Sequence, residues 1–168
     1  MQKNTIKSVA GAIFSPDRTE VLLVKRRDVP VWVLPGGGID EGESSDNAVI
    51  REILEETGFT VKIDRLVGLY IPINSLSKPT HLYECIILNG TPKASNETSS
   101  IQFFRLTQLP LLIPPPFRGW IEDAYIKQPF LQKKITDVNY RTLMINLVKH
   151  PVLVLRFILA RLGLTINL

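Results

Sequence analysis

The chain has 168 residues, of which 45% are hydrophobic and 21% are charged. This length and composition exclude a disordered chain and predict one domain with a sizeable core. No segment is long and apolar enough to predict a membrane span, and the N-terminal residues lack the apolar run of a secretory signal. Cys85 is the only cysteine, which excludes an internal disulfide and favours a reducing, cytoplasmic location.

The net charge of +4 is unevenly distributed along the chain. From Arg118 onward there are eight Lys or Arg residues against three acidic ones, whereas the preceding residues carry twelve basic and thirteen acidic side chains. Because this larger N-terminal part is not basic, we expect no nucleic acid partner.

The first predicted elements are two strands, over residues 7–14 and 20–26. A turn joins them, and together they are predicted to form a hairpin. A triple glycine follows at residues 36–38, where the backbone must turn sharply or approach a ligand closely. Next comes a predicted helix over residues 46–57. Ser44 and Ser45 are suitable N-caps for this helix, and Gly58 is suitable just past its end. An apolar stripe predicts that one face of the helix packs on the core, and it comprises Val49, Ile50, Ile53, Leu54 and Thr57.

The opposite face of this helix carries Glu52, Glu55 and Glu56. Three carboxylates at this spacing repel one another by a few tenths of a kcal/mol per pair, roughly. They also lie in the C-terminal half, where the helix dipole disfavours negative charge. A divalent cation relieves both penalties, and carboxylate oxygens suit Mg²⁺ or Mn²⁺. The alternative is a solvated acidic face in which Arg51 and Glu55 form a surface pair.

Further strands are predicted over residues 60–71, 80–88 and 100–106, followed by a helix over residues 118–127 that Pro116 opens. We expect Trp32 to pack beneath the glycine-containing loop. For His81, at the start of a strand, we expect a structural hydrogen bond.

The stretch that begins at the triple glycine fits the pattern G-x5-E-x7-R-E-U-x-E-E-x-G-U, where U is a bulky apolar residue. This pattern resembles the signature of the Nudix hydrolases. The specified positions are Gly37, Glu43, Arg51, Glu52, Ile53, Glu55, Glu56, Gly58 and Phe59.

The resemblance implies a role for each matched position. Glu52 and Glu56 correspond to the principal metal ligands, Glu55 to an auxiliary ligand, and the carbonyl of Gly37 completes the coordination. The resemblance also implies that a buried pair holds the loop against the helix, and this structural pair consists of Arg51 and Glu43.

Other candidates lie in segments that lead into the active site of such enzymes. Arg26 and Arg27 are candidate substrate-binding residues, because arginine forms bidentate hydrogen bonds with phosphate; a solvated strand end is the alternative. Gly37 and Gly38 are candidates for the same role. Glu97 is a candidate additional ligand or general base, for which an exposed loop residue is the alternative. The candidate catalytic residues are Glu52, Glu55 and Glu97.

The fold implied is an α/β/α sandwich, with a mixed sheet between helices, over residues 1–136. Residues 137–168 form a C-terminal helical extension, in which Asp137 caps one helix and Pro151 opens another. We expect this apolar extension to pack on the domain or at a homodimer interface, and the intact protein not to bind anionic vesicles. Arg156 and Arg161 are then expected at the rim or on substrate phosphates. The alternative is a basic helix on a membrane surface.

The function implied is Mg²⁺-dependent hydrolysis of a nucleoside diphosphate linked to another group, with ADP-ribose or a nucleotide sugar as the expected substrate. A nucleoside triphosphate pyrophosphohydrolase is the enzymatic alternative. A binding module that has kept the fold and lost catalysis is the non-enzymatic one. RNA cap removal is a poorer option, because the core has no basic patch.

Overall fold

A computed structural model of the chain describes residues 5–162, which form eight strands and four α-helices. The strands are β1 (Ser8–Ile13), β2 (Glu20–Arg26), β3 (Trp32–Val33), β4 (Gly36–Gly38), β5 (Phe59–Pro72), β6 (Thr80–Gly90), β7 (Thr98–Arg105) and β8 (Leu131–Ile135). The helices are α1 (Ser45–Thr57), α2 (Phe117–Tyr125), α3 (Tyr140–Lys149) and α4 (Pro151–Arg161).

The strands form two sheets. The five-stranded sheet has the order β4-β1-β6-β5-β8 and is mixed, because β1 pairs in parallel with β6 while β5 and β6 are antiparallel. The three-stranded sheet has the order β3-β2-β7 and is antiparallel. The expected mixed sheet is therefore confirmed, and a smaller antiparallel sheet accompanies it.

The core divides into two clusters because successive side chains of a strand point to opposite faces. In β1, Ala10 and Ala12 belong to the cluster that includes Trp120 and Ile121 of α2. Val9 and Ile13 belong to the other cluster, together with buried side chains of α1. Helices thus cover both faces, as in the expected α/β/α sandwich.

The predicted N-terminal hairpin is wrong in its pairing. β1 and β2 lie in different sheets, and a single bridge between Phe14 and Val21 joins them. β1 instead pairs with β6 and β4. The predicted turn between the two strands is present, but β1 forms a longer ladder with the distant strand β6 than with β2.

Two features near the C-terminus also differ from the prediction. β8 was not predicted, because its five residues include Lys133 and Lys134, which are typical of a protected edge strand. It pairs in parallel with β5 at the edge of the larger sheet. The cap of α3 is Asn139, not Asp137: the Asn139 side chain accepts a hydrogen bond from the N–H of Thr142.

The two C-terminal helices contact each other and are joined at Pro151, as predicted. Arg156 donates hydrogen bonds from Nε to the carbonyl oxygen of Asp28 and from Nη2 to that of Arg27, both at 2.7 Å. The side chain of Arg161, to which a similar role was assigned, lies outside the described residues. None of the described helices is both long and apolar enough to cross a bilayer.

Candidate active site

Helix α1 begins and ends at the predicted caps. The side chain of Ser44 accepts a hydrogen bond from the N–H of Asn47, and Gly58 adopts a left-handed conformation (φ 77°) just past the last turn. The helix packs against β5, β4 and β1. The caps fix where the helix begins and ends, and its buried side chains Ala48, Val49 and Ile53 determine which face packs on the core.

The three predicted ligands occupy three different environments. Glu56 is buried, with 8% of its surface exposed, whereas Glu52 is half-buried and Glu55 is exposed. Leu54, predicted in the apolar stripe, is 47% exposed. The apolar pattern alone therefore assigned Leu54 to the wrong environment, and it did not predict that Glu56 is buried.

Glu56 is held by the backbone of the glycine strand. The amide N–H of Gly36 donates a hydrogen bond to Oε2 of Glu56 at 2.9 Å. Burial raises the pKa of Glu56 to about 7; the charges of Glu52 and Glu97 add to this effect, and the hydrogen bond from Gly36 opposes it. A buried carboxylate of this kind is costly to ionise unless a cation compensates its charge.

Two glycines allow β4 to lie this close to its neighbours. Gly36 has a φ of 151°, and a Cβ atom there would lie 2.2 Å from the carbonyl oxygen of Val9. A Cβ atom on Gly37 would lie 2.5 Å from the carboxyl atoms of Glu52. At Gly36 the backbone excludes a side chain, whereas a side chain at Gly37 would displace the carboxylate of Glu52. The backbone at Gly37 therefore faces the carboxylate of Glu52, whose pKa is itself raised by burial.

Arg51 holds the loop before α1 against the helix. Its Nε and Nη2 donate to the two carboxylate oxygens of Glu43 at 2.9 and 2.8 Å, and Nη2 also donates to the carbonyl of Gly38 at 3.0 Å. The hydrogen bonds from Arg51 to Glu43, with one from the N–H of Asp40, lower the pKa of Glu43 to about 2. The expected pair is present, but it is only partly buried: 28% of the Arg51 side chain and 16% of the Glu43 side chain are exposed.

Arg51 also neutralises part of the acidic face. Its Nη1 donates to Glu52 at 3.1 Å and to Glu55 at 3.5 Å. The alternative surface pair of Arg51 with Glu55 therefore exists beside the pair with Glu43. Both contacts offset the repulsion expected among the carboxylates.

Arg26 is the last residue of β2, and acidic side chains determine its electrostatic environment. Arg26 forms a bidentate ion pair with Asp28, which raises its pKa, and the charges of Glu56 and Glu97 add to this shift. Arg27 has a different role, since its Nε donates to the carbonyl of Ser95 at 3.0 Å. Its backbone N–H donates to the carbonyl of Glu97 at 2.8 Å. Arg27 thus attaches the loop that carries Glu97, whose side chain is exposed.

The donor set of this site fits a hard cation in chemistry, because every candidate side chain supplies carboxylate oxygens. Glu56 is buried and forms no ion pair within the described part of the chain, so it lacks a positive charge that a cation would supply. Within residues 5–162, however, no three acidic, histidine or cysteine side chains converge closely enough to surround an ion. Coordination by all three glutamates therefore requires rotation of their side chains.

A second polar cluster at the start of α1 was only partly predicted. His81 makes the expected hydrogen bond, with its Nδ1 3.0 Å from Oγ of Ser45. The hydroxyl of Tyr83 lies 2.6 Å from Ser45 and donates to Asp46 at 2.6 Å. Burial lowers the pKa of His81. This cluster joins the helix to β6, and no local sequence signal links residues so far apart along the chain.

Comparison with known proteins identifies this arrangement. The model of the NUDIX domain matches residues 5–127. A Bacillus subtilis protein provisionally named an 8-oxo-dGTP diphosphatase is 39% identical over 115 residues, which span 68% of this chain and 76% of that protein. An ADP-ribose pyrophosphatase of Methanocaldococcus jannaschii is 34% identical over 100 residues, which span 55% of this chain and 59% of that protein.

Solved structures show the same fold. An ADP-ribose pyrophosphatase from Streptococcus suis matches with a TM-score of 0.62 and 26% identity, and the match covers 77% of this chain and 99% of that one. A structure described as a UDP-X diphosphatase matches with a TM-score of 0.65 and 25% identity, covering 76% of this chain and 66% of that one. The family model ends at residue 127, before β8, α3 and α4 begin.

Proposed function

Since this chain belongs to the NUDIX family of hydrolases, we propose that it cleaves a nucleoside diphosphate linked to another group, with ADP-ribose or a nucleotide sugar as the substrate. The names of an M. jannaschii relative and of two structural neighbours support this substrate class. The observation that carries the proposal is the buried carboxylate of Glu56 beside the glycine strand, with Arg26 nearby. A site with this arrangement suits a phosphate group together with its cation.

We assign Mg²⁺ or Mn²⁺ to the acidic face, because all the donors are oxygen atoms. Glu52 and Glu56 would hold the ion as principal ligands, with Glu55 as an auxiliary ligand and the carbonyl of Gly37 completing the set. Such an ion, when bound, neutralises charge on the phosphoryl oxygens and lowers the pKa of a water molecule.

The other residues position the substrate and move the proton. Arg26 presents its guanidinium beside the acidic face, where it binds a phosphate oxygen. Gly37 and Gly38 keep the backbone open to the diphosphate, and no atom lies within 4 Å of the Cβ position of Gly38. Glu97 lies on an exposed loop that Arg27 attaches to the end of β2, and its charge contributes to the raised pKa of Glu56. We assign to Glu97 the role of accepting the proton of the attacking water. Arg51 and Glu43 hold the loop in position.

The direct test is product analysis after incubation of the protein with a panel of nucleotides in Mg²⁺. Hydrolysis of ADP-ribose at the diphosphate releases AMP and ribose 5-phosphate. Glu56→Gln should lower kcat by at least about a hundredfold, because it removes a principal ligand. The control Glu41→Gln changes an exposed carboxylate in the loop before α1 and should leave kcat unchanged. No turnover of any nucleotide by the wild-type protein, despite binding, would instead indicate a module that has lost catalysis.

Hydrolysis of a nucleoside triphosphate to the monophosphate and pyrophosphate is the second candidate. It is favoured by the B. subtilis relative, which matches over a larger part of both chains than the M. jannaschii relative does. The same panel separates the two activities, because only this one releases pyrophosphate. A kcat/KM at least about tenfold higher for a triphosphate than for ADP-ribose would exclude the first candidate as the preferred reaction.

A further inference from the structure

Helices α3 and α4 expose an unusual amount of apolar surface. Half of the exposed large apolar side chains in the described part of the chain, nine of eighteen, lie between residues 140 and 162. They are Tyr140, Met144, Ile145, Leu147, Val148, Val152, Leu155, Ile158 and Leu162. The described residues thus leave this apolar surface uncovered, and the expectation that the extension packs on the domain or at a homodimer interface stays a prediction.

In α4 the exposed side chains form one continuous face. At 3.6 residues per turn, Val152, Leu155, Ile158 and Leu162 fall within an arc of about 120°. Val154 is buried on the other side of the helix. Arg156 lies outside the arc and donates to two backbone carbonyls of the domain. The domain thus holds the inner side of α4 and leaves a purely apolar strip outward.

The exposed face of α3 combines apolar side chains with one basic residue. At the same helical spacing, Arg141 falls between Val148 and Ile145, and all three are exposed. Lys149 and His150 are exposed at the junction with α4. The long side chain of Arg141 can lie along an apolar surface while its guanidinium reaches a polar boundary.

The charges around these helices identify what covers them. Arg141 and Lys149 are exposed on α3, whereas Lys133 of β8 pairs with Asp123 and Arg156 faces the domain. Between residues 131 and 162 the sequence has a single acidic residue, Asp137. Association of two copies through this face would bring the exposed cations of both copies together, and neither α3 nor α4 carries an acidic residue to pair them. An anionic lipid surface supplies both the negative charge and an apolar layer.

We infer that α3 and α4 form a docking surface for an anionic lipid bilayer, with both helices lying in the plane of the interface. The length of α4 supports this orientation, because 11 residues extend only about 16 Å, roughly half the thickness of the hydrocarbon core. The surface belongs to elements beyond the matched NUDIX domain, which ends at residue 127. It lies outside the matched domain, and the inference does not rest on the proposed hydrolysis.

The test is co-sedimentation of the full chain with sucrose-loaded vesicles of phosphatidylcholine alone or mixed with phosphatidylglycerol. We expect binding to the mixed vesicles, little binding to the neutral ones, and a partition coefficient that falls as salt rises. A double variant with Leu155→Gln and Ile158→Gln should lower the partition coefficient at least about tenfold, because each side chain loses its apolar burial. The matched control is Leu88→Gln, at an exposed apolar residue of β6, which should bind as the wild type does.

Several outcomes would overturn the inference. One is a wild-type chain that does not pellet with anionic vesicles. Another is a dimer in sedimentation velocity that the double variant dissociates, without vesicle binding, which would assign the face to a second copy of the chain. Equal loss of binding in Leu88→Gln would indicate unspecific adhesion. Nucleotide hydrolysis in solution is measured for the same variants and should not change, so failure of vesicle binding remains distinct from failure of the proposed function.

Discussion

Replacement of Glu56 by glutamine is expected to stabilise the metal-free protein at pH 8 while abolishing hydrolysis. Burial raises the pKa of this carboxyl from 4.5 to about 7. Each tenfold change in proton affinity is worth about 1.4 kcal/mol, so ionisation of Glu56 costs the folded state about 3 kcal/mol at pH 8. Glutamine has the same shape and stays neutral, and its amide oxygen can accept the hydrogen bond from Gly36.

The sign of the pH dependence follows from the direction of this shift. Because the pKa is higher in the folded state, the cost is absent below about pH 4.5 and complete above about pH 7. The free energy of unfolding of the metal-free wild type should therefore fall by roughly 2 to 3 kcal/mol between pH 5 and pH 8, relative to that of Glu56→Gln. Excess Mg²⁺ at pH 8 should stabilise the wild type more than the variant.

The assay is urea unfolding in EDTA, followed by tryptophan fluorescence, at pH 5 and pH 8 for both proteins. The change in the free energy of unfolding from pH 5 to pH 8 is compared between wild type and Glu56→Gln, which removes the contributions of all other titrating groups. Glu55→Gln is the matched control, because it removes an exposed carboxylate from the same helix and leaves the buried Glu56 in place. Parallel pH profiles for wild type and Glu56→Gln, or a variant less stable at pH 8, would refute the reasoning.

Three further predictions concern other parts of the molecule. In a double-mutant cycle, Arg51→Ala and Glu43→Ala should show a favourable coupling in the free energy of unfolding above pH 4.5. This coupling should weaken as the pH falls toward about 2, because the pKa of Glu43 is lowered. Additive effects of the two substitutions at pH 7 would contradict the pairing. Arg156→Ala should raise KM more than it lowers kcat, since the segment carrying Arg26 loses two hydrogen bonds, and an unchanged KM would contradict it. Burial raises the pKa of Cys85 to about 12. Iodoacetamide at pH 8 should therefore label this thiol far more slowly in the native protein than in the urea-unfolded chain, and mass spectrometry measures both rates.

The sequence predicts best the structure that local signals determine. The caps at Ser44 and Gly58 set both ends of α1, and each acts on a backbone group within a few residues of itself. The bounds of β2 and the break at Pro151 were predicted for the same reason. The pairing of β1 was not, because a strand partner some seventy residues away leaves no trace in the local pattern.

The environment of the acidic residues depends on tertiary contacts, and the sequence did not predict it. Helical periodicity places Glu52, Glu55 and Glu56 together, yet β4 covers only part of that face. The hydrogen bond from Gly36 and the burial of Glu56 arise only when the glycine strand pairs with β1. The pattern thus predicts that the three carboxylates share one face of α1, and the fold determines which of them is costly to ionise.

The two sides of the candidate site are held by different means, and this difference bears on how the site works. On one side, α1 and β4 are fixed by caps, by strand pairing and by the hydrogen bonds of Arg51. On the other side, the segment carrying Arg26 is held in part by Arg156, which belongs to a helix outside the matched family domain. The position of Arg26, the candidate substrate-binding residue, is therefore tied in part to α4. If α4 docks on a bilayer as inferred, a shift of α4 on docking would change the position of Arg26. Any effect of lipid on substrate affinity must then equal the effect of substrate on lipid affinity.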